Sequence, residues 1–409
     1  MEISACRAGF SAERIERIAA HLNKNYIDSG KIAGCQVLVA RRGQLAYYKS
    51  LGLMDRERGK PMREDTIFRI YSMTKPITAV ALMQLYERGL FQLNDPVHRV
   101  IPEWRSLEEY VSGEGALMET RPAQAHITFR HLLTHTAGLT YGGGSIADAN
   151  LHPVDRVYRS LNISATSSDS LQDFVKKLAR APLRYTPGER WMYSFASDVC
   201  GHLVEALSGQ SFDRYLQENI CAPLDMQDTS FVIAPSKLER FAACYERAAD
   251  KSLRLQDDPL SSSYSNSRPF FAGGSGLVST TLDYYRFCDS LRRGGELNGQ
   301  RILGPRTIEL MKMNHLPGGR DLTQLAIGSF AETAYEGTGF GLGLASTLNQ
   351  VATGSFGAGD YYWGGLASTL FWVDPKEDMI VIFMAQLIPS ATFNFRGQLK
   401  NIIYSAISD

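Results

Sequence analysis

Thr66-Ile67-Phe68-Arg69-Ile70-Tyr71-Ser72-Met73-Thr74-Lys75 leads an extended stretch directly into the helical run Thr78-Ala79-Val80-Ala81-Leu82-Met83-Gln84-Leu85-Tyr86-Glu87-Arg88. At that junction stands the only Ser-x-x-Lys of the chain, Ser72-Met73-Thr74-Lys75. Residues three apart on a helix share a face, so the amine at 75 can reach the hydroxyl at 72. A serine hydroxyl becomes a useful nucleophile only when a neighbour takes its proton. A lysine serves if burial and nearby positive potential lower its pKa from about 10.4, and a helix N-terminus supplies such potential. A Ser-x-x-Lys also arises by chance in a chain this long, so the rest of the sequence decides its meaning.

The 409 residues are 44% hydrophobic and 21% charged, with 43 basic and 43 acidic side chains. That is ordinary globular composition without a basic tract, so neither nucleic acid nor an anionic membrane is expected as a partner. Met1 to Arg7 lacks a basic segment followed by an apolar core, so no secretory signal is expected. The most apolar run, Met379 to Ala385, is far below the roughly 20 residues of a spanning helix and reads as a buried strand. Six scattered cysteines without a Cys-x-x-Cys pair fit buried thiols in a reducing cytoplasm.

Ser11 begins a helical pattern carried by Ile15, Ile18, Ala19 and Leu22. Cys35–Ala40 and Gln44–Leu51 read as a hairpin around Arg41-Arg42-Gly43, as do Tyr361–Val373 and Met379–Gln386 around Asp374-Pro375-Lys376-Glu377. Between Phe91 and Arg268 helical segments prevail (128–134, 171–179, 197–207, 211–219), separated by loops at Gly142-Gly143-Gly144, 160–170 and 261–265. Helix returns at 282–292, and an amphipathic helix spans about 393–407. The expectation is an α+β fold: an antiparallel sheet built from both termini (1–90 and 269–409), flanked by helices, with a mainly helical domain (91–268) inserted. The active site would lie in the cleft between them.

Three blocks follow in order: Ser72-Met73-Thr74-Lys75, Tyr193-Ser194-Phe195 and Trp363-Gly364-Gly365. His131-Leu132-Leu133-Thr134-His135-Thr136-Ala137-Gly138-Leu139 and Gly339-Phe340-Gly341-Leu342-Gly343-Leu344 accompany them. In this order they resemble the class C β-lactamase-like serine hydrolases, and within these the family VIII carboxylesterases, from about Ser11 to Ile407. The resemblance implies a β-lactamase/transpeptidase-like fold and an acylated nucleophile at Ser72, with Lys75 and Tyr193 handling its proton. A tyrosinate beside an ammonium costs less to form, so the two can share one proton. The resemblance also implies an oxyanion hole from the backbone N–H groups of Ser72 and Leu366. Trp363, Gly364, Gly365, Phe195 and Tyr141 would bind substrate.

Two blocks depart from the lactamase pattern. Its third block usually begins with Lys or His, a cation that helps hold the carboxylate of the antibiotic; here an uncharged indole stands at 363. Its second block commonly ends in Asn, and here Phe195 removes that amide. Both favour an uncharged ester over an anionic lactam. The expected enzyme is a serine carboxylesterase acting on small to medium esters, with no metal or organic cofactor. Acyl transfer to another acceptor is the alternative, followed by weak β-lactamase or D-aminopeptidase activity. A non-catalytic binding relative would be expected to lose Ser72, Lys75 or Tyr193. Nothing in the chain specifies an oligomeric state.

Other motifs lead elsewhere. Gly273-Gly274-Ser275-Gly276-Leu277 fails the Gly-x-Ser-x-Gly pattern at its last position, which disfavours an α/β-hydrolase elbow. His131 and His135 stand four apart, but Leu132 occupies the place of the zincin glutamate, so a helix-end packing segment is expected. Gly339 to Gly343 reads as a strand packed closely on a neighbour rather than a nucleotide loop.

Overall fold

The computed structural model describes residues 2–143, 151–164, 169–266, 269–327 and 336–409. Gly144, residues 165–168 and the expected boundary residue Arg268, all singled out above, lie outside them. Eight strands form the main sheet: β1 (Gly34–Arg41), β2 (Gln44–Asp55), β3 (Lys60–Pro61), β4 (Thr338–Phe340), β5 (Ala345–Thr347), β6 (Tyr361–Gly365), β7 (Thr369–Asp374) and β8 (Met379–Ala385). Their spatial order is β4-β5-β6-β7-β8-β1-β2-β3, and every neighbouring pair is antiparallel. The join between the two ends of the chain is β1 against β8, in register from Cys35 opposite Ala385 to Arg41 opposite Met379.

Both strands at that join are buried along their whole length. Side chains alternate between faces, and directly paired residues share one. Phe371 pairs with Ile382, whereas Phe383 pairs with Leu370, so the two phenylalanines point to opposite faces. Tyr284, on the helix Thr281–Arg292, lies 5.1 Å from the Phe371 ring, and Phe395, on the helix Phe395–Ser405, lies 4.7 Å from Phe383. Helices therefore cover both faces, which is why the central strands read as continuous apolar runs without polar alternation.

The first helical pattern breaks into Ala12–Ile15 and Arg17–Leu22, with Ser11 capping the first turn. Between the two sheet-forming stretches run the helices Phe129–Leu133, Pro153–Ser160, Leu171–Leu178, Ala196–Ser208 and Phe212–Leu216. The same stretch also holds strands that periodicity did not single out. Cys244–Arg247 and Leu253–Asp257 form a three-stranded sheet with Leu387–Ile388. That segment of the 91–268 stretch is thus hydrogen-bonded to the chain's C-terminal part.

At the centre lies α1 (Thr74–Glu87), in which every residue from Thr74 to Leu85 is buried. A helix buried all round belongs in a core, and its few polar residues there need partners. It packs against α2 (Ala196–Ser208). The strand Ile67–Arg69 leading into α1 is shorter than the extended stretch expected, and pairs with Val278–Thr280. The glycines at 339–343 do pack closely. A Cβ at Gly341 would overlap Met311 O, and one at Gly343, whose φ is +85°, would meet Ala79 Cβ of α1 at 2.5 Å. Gly343→Ala combines backbone strain with overpacking and is expected to destabilise the fold by about 2–3 kcal/mol. Urea denaturation checks this; an unchanged midpoint would contradict it.

Candidate active site

The chain enters the site through a strained turn. Ile70 ends the extended segment, Tyr71 adopts φ +40°, and Tyr71–Met73 forms a 3-10 turn before α1 begins at Thr74. A tyrosine at positive φ is sterically costly and persists only where its surroundings hold it. Here Ile70 N donates to Leu277 O (3.2 Å), Leu277 N donates to Thr74 Oγ1 (3.1 Å), and Tyr284 OH donates to Met73 O (3.0 Å). Ser72 thus sits in the 3-10 turn one step before the α-helix rather than inside it.

Lys75 is 2% exposed, and its Nζ donates to Ser72 Oγ at 3.1 Å and to Gly274 O at 2.7 Å. The same Nζ stands 4.4 Å from the centroid of Tyr193 and 5.7 Å from that of Tyr141. Tyr193 OH accepts from Trp363 Nε1 at 3.2 Å. The first two sequence blocks therefore meet at one amine, and the third joins them through Tyr193 OH. At its C-terminal end β6 lies against the Ser72 turn: a Cβ on Gly365 would overlap Ile70 O, and Thr369 Oγ1 donates to Ile70 O at 3.4 Å. The Leu366 amide is one residue further, in the turn where Ser368 N donates to Gly365 O at 3.1 Å.

Among the expected substrate-binding residues, Tyr141 is half-buried beside Tyr193, with ring centroids 5.4 Å apart. Phe195 and Trp363 lie deeper. Phe195 is buried, packed on Tyr141 at 4.6 Å and on Phe174 at 5.2 Å, so its ring backs Tyr141. Trp363 is 1% exposed, between Tyr193 (5.4 Å) and Phe340 (5.3 Å). Its N–H is directed at the tyrosine oxygen. Gly364 and Gly365 are buried in β6.

Sequence reading missed Asp198 and Gly274. Asp198, buried in the first turn of α2, accepts from Gly274 N at 3.0 Å. The available signal was a lone carboxylate among the apolar residues at the start of a helix, five positions after Tyr193. His135 also joins the site, as packing rather than as a ligand. Its ring lies 4.9 Å from Tyr193, and its Nδ1 is 3.3 Å from Ser194 Oγ. Burial and then the Lys75 cation push its pKa well below 6.5, so it is neutral. Among the described residues no His, Cys, Asp and Glu cluster suits a metal, and no helix is long and apolar enough to cross a membrane.

At Tyr71, next to the nucleophile in the chain, opens a cavity of about 460 Å³ walled by Phe231, Phe270 and Phe271, with Tyr264 and Asp257 at its polar side; Ser72, Lys75 and Tyr193 are not among its lining residues. The volume falls in the usual range for small-molecule sites.

Comparison with known proteins identifies the family. The profile of the Beta-lactamase family matches residues 15–399. The chain belongs to the beta-lactamase family. It is 34% identical over 375 residues to Esterase EstB of Burkholderia gladioli, covering 87% of this chain and 86% of that one. It is 30% identical over 386 residues to the monacolin J acid methylbutanoyltransferase of Aspergillus terreus, covering 89% and 88%. Among solved structures, EstCE1, a hydrolase with promiscuous acyltransferase activity, superposes with a TM-score of 0.78 at 27% identity, over 96% of this chain and 98% of that one. The antiparallel sheet with flanking helices is thus the family's architecture, and the resemblance to its esterase branch holds.

Two outcomes are expected of this site. Trp363→Phe keeps most of the apolar area and deletes the N–H donor to Tyr193; kcat/KM on an ester should fall about tenfold, the worth of one such hydrogen bond. An unchanged kcat/KM would show that the bond is idle. Burial, then Arg130, also pushes His131 down to about 4, from 6.5. Both imidazoles are folded in neutral, so below pH 6.5 the unfolded chain binds more protons and stability falls. Melting temperature should therefore drop between about pH 7 and about pH 5, and less steeply in His131→Gln; parallel profiles would contradict this.

Proposed function

We propose that this protein is a serine carboxylesterase that hydrolyses small to medium acyl esters through an acyl-Ser72 intermediate. The observation that carries the reading is Lys75 Nζ, buried and 3.1 Å from Ser72 Oγ, with the Tyr193 ring 4.4 Å away. Ser72 Oγ attacks the ester carbonyl while its proton passes to the Lys75–Tyr193 pair. The N–H groups of Ser72 and Leu366 receive the oxyanion, each worth on the order of 3 kcal/mol in the transition state. Collapse breaks the bond to the alkoxide, which leaves with the proton held by the pair. Water, deprotonated by the same pair, then attacks the acyl carbon and frees the carboxylic acid and Ser72.

Ser72 and residues 363–366 come from the stretches 1–90 and 269–409, whereas Tyr141 and Tyr193 come from 91–268. We therefore place the substrate cleft between a sheet-bearing domain and an inserted, mainly helical one. The mixed apolar and polar walls of the 460 Å³ cavity beside Tyr71 suit an uncharged ester. Trp363 supports the same choice by another route than direct contact, since it puts a neutral donor on Tyr193 OH and adds no cation for a lactam carboxylate. Five of the six free cysteines are buried, in keeping with a cytoplasmic protein.

Acyl transfer to an acceptor other than water is the second reading, favoured by likeness to the Aspergillus methylbutanoyltransferase and EstCE1. Both readings use one acyl-enzyme and differ only in what enters after the first product leaves.

p-Nitrophenyl butyrate and nitrocefin, assayed side by side, test the substrate class. The ester should be turned over at least about tenfold faster, a difference of about 1.4 kcal/mol in transition-state binding; faster nitrocefin turnover would overturn it. Tyr193→Phe should slow ester hydrolysis by about 10² or more. A near-normal rate would leave Lys75 acting without it.

A further inference from the structure

The acyl-transfer chemistry of Ser72, Lys75 and Tyr193 leaves one buried carboxylate unused. Asp198 is 1% exposed, yet no cationic side chain hydrogen-bonds to it among the described residues. Its Oδ1 accepts from Gly274 N at 3.0 Å, while Oδ2 has no hydrogen-bond partner among the described residues. On the other side of the same glycine, Gly274 O accepts from Lys75 Nζ at 2.7 Å. One peptide segment thus separates the carboxylate from the amine.

That segment is clamped between two helices. Gly273 O accepts from Thr78 Oγ1 of α1 at 2.7 Å, and a Cβ on Gly273 would overlap Ser197 O of α2. A Cβ on Gly274 would lie 2.8 Å from Asp198 Oδ2. Two successive glycines let the backbone lie close against α2 at this point. Stability alone gives no reason for the acid: a buried carboxylate with one neutral hydrogen bond is a net penalty unless a charge nearby compensates.

We infer that Asp198 is a positioning residue for the reaction centre: through the Gly274 peptide it fixes the carbonyl that receives Lys75, and its carboxylate is the counter-charge of the Lys75 ammonium. The inference rests on the acyl-Ser72 reading. Among the described residues, the titratable groups facing Lys75 include Ser72 from its own turn, Tyr193, Tyr141 and His135 from neighbouring segments, and Asp198 from α2. Burial raises the Asp198 carboxyl to about 6 against the opposing pull of Lys75 and then the Gly274 N–H. His135 is neutral, so above that pH Asp198 is the anion of the set. Cys200, close to it on α2, stays a thiol because burial and the Asp198 charge both raise its pKa.

An anion at 198 favours the protonated form of the Lys75–Tyr193 pair, whichever of the two holds the proton. Removing it lets the pair lose its proton at lower pH and makes it a weaker base.

The test compares wild type with Asp198→Asn and Asp198→Ser, both uncharged and both able to accept from Gly274 N. Thermal melts establish folding, and kcat/KM for p-nitrophenyl butyrate is followed from about pH 5 to about pH 10. In each folded variant the acidic limb should move down by about one pH unit and the plateau should fall on the order of tenfold. A folded variant whose activity drops uniformly, with the limb unmoved, would assign Asp198 a structural part only and overturn the inference. Ser72→Ala in the same buffers separates the two readings. If it is inactive while the Asp198 limbs stay put, only the role of Asp198 fails. If it still hydrolyses the ester, the acyl-serine reading fails and the inference with it.

Discussion

An amine taken out of water must find polar partners within reach or lose its charge. Lys75 is 2% exposed at the head of a helix buried from Thr74 to Leu85, and the surrounding structure is organised by that requirement. Ser72 Oγ and Gly274 O receive its N–H groups, and the faces of Tyr193 and Tyr141 lie beside it. Beyond Ser72, these partners come from separate stretches of chain. The Gly274 segment is held between α1 and α2 by Thr78 Oγ1 and Asp198, while β6, which ends against the turn that holds Ser72, brings Trp363 to Tyr193.

The same constraint changes what Trp363 means. As a residue in contact with substrate, it would argue directly for an apolar ligand. Buried between Tyr193 and Phe340, it donates its N–H to the tyrosine oxygen. A neutral N–H there holds the oxygen in place without adding positive charge to the site. The preference for esters over anionic lactams keeps its support, but the physical route runs through the tyrosine and the missing cation.

Elements with strong local signals are legible in the amino-acid sequence alone. The 34–55 hairpin and the 369–385 hairpin carry β-branched and aromatic runs with turn residues between them, and the 74–87 helix carries a mainly apolar run; the expected single strand 361–373 is instead two antiparallel strands, because the chain turns back between Gly365 and Thr369. The three chemical blocks are legible because each is short and contiguous. Cys244–Arg247 and Leu253–Asp257 escape because they are short strands whose sheet is completed by Leu387–Ile388, more than a hundred residues away in the chain. Asp198 escapes because its significance lies in a hydrogen bond to Gly274, a contact that no local periodicity encodes. Phe195 is expected in this neighbourhood, but its burial behind Tyr141 is not legible. A motif gives a residue's position along the chain, whereas the direction of a ring depends on packing by Tyr158 and Phe174.

The central claim is a covalent bond between the acyl group and Ser72 Oγ. Its most direct test is intact and peptide mass spectrometry after reaction with a p-nitrophenyl alkylphosphonate, which an activated serine attacks and retains. The account predicts a single adduct, located on the peptide carrying Ser72 and absent from Ser72→Ala. An adduct on another residue, or an enzyme that hydrolyses esters while remaining unlabelled, would contradict it.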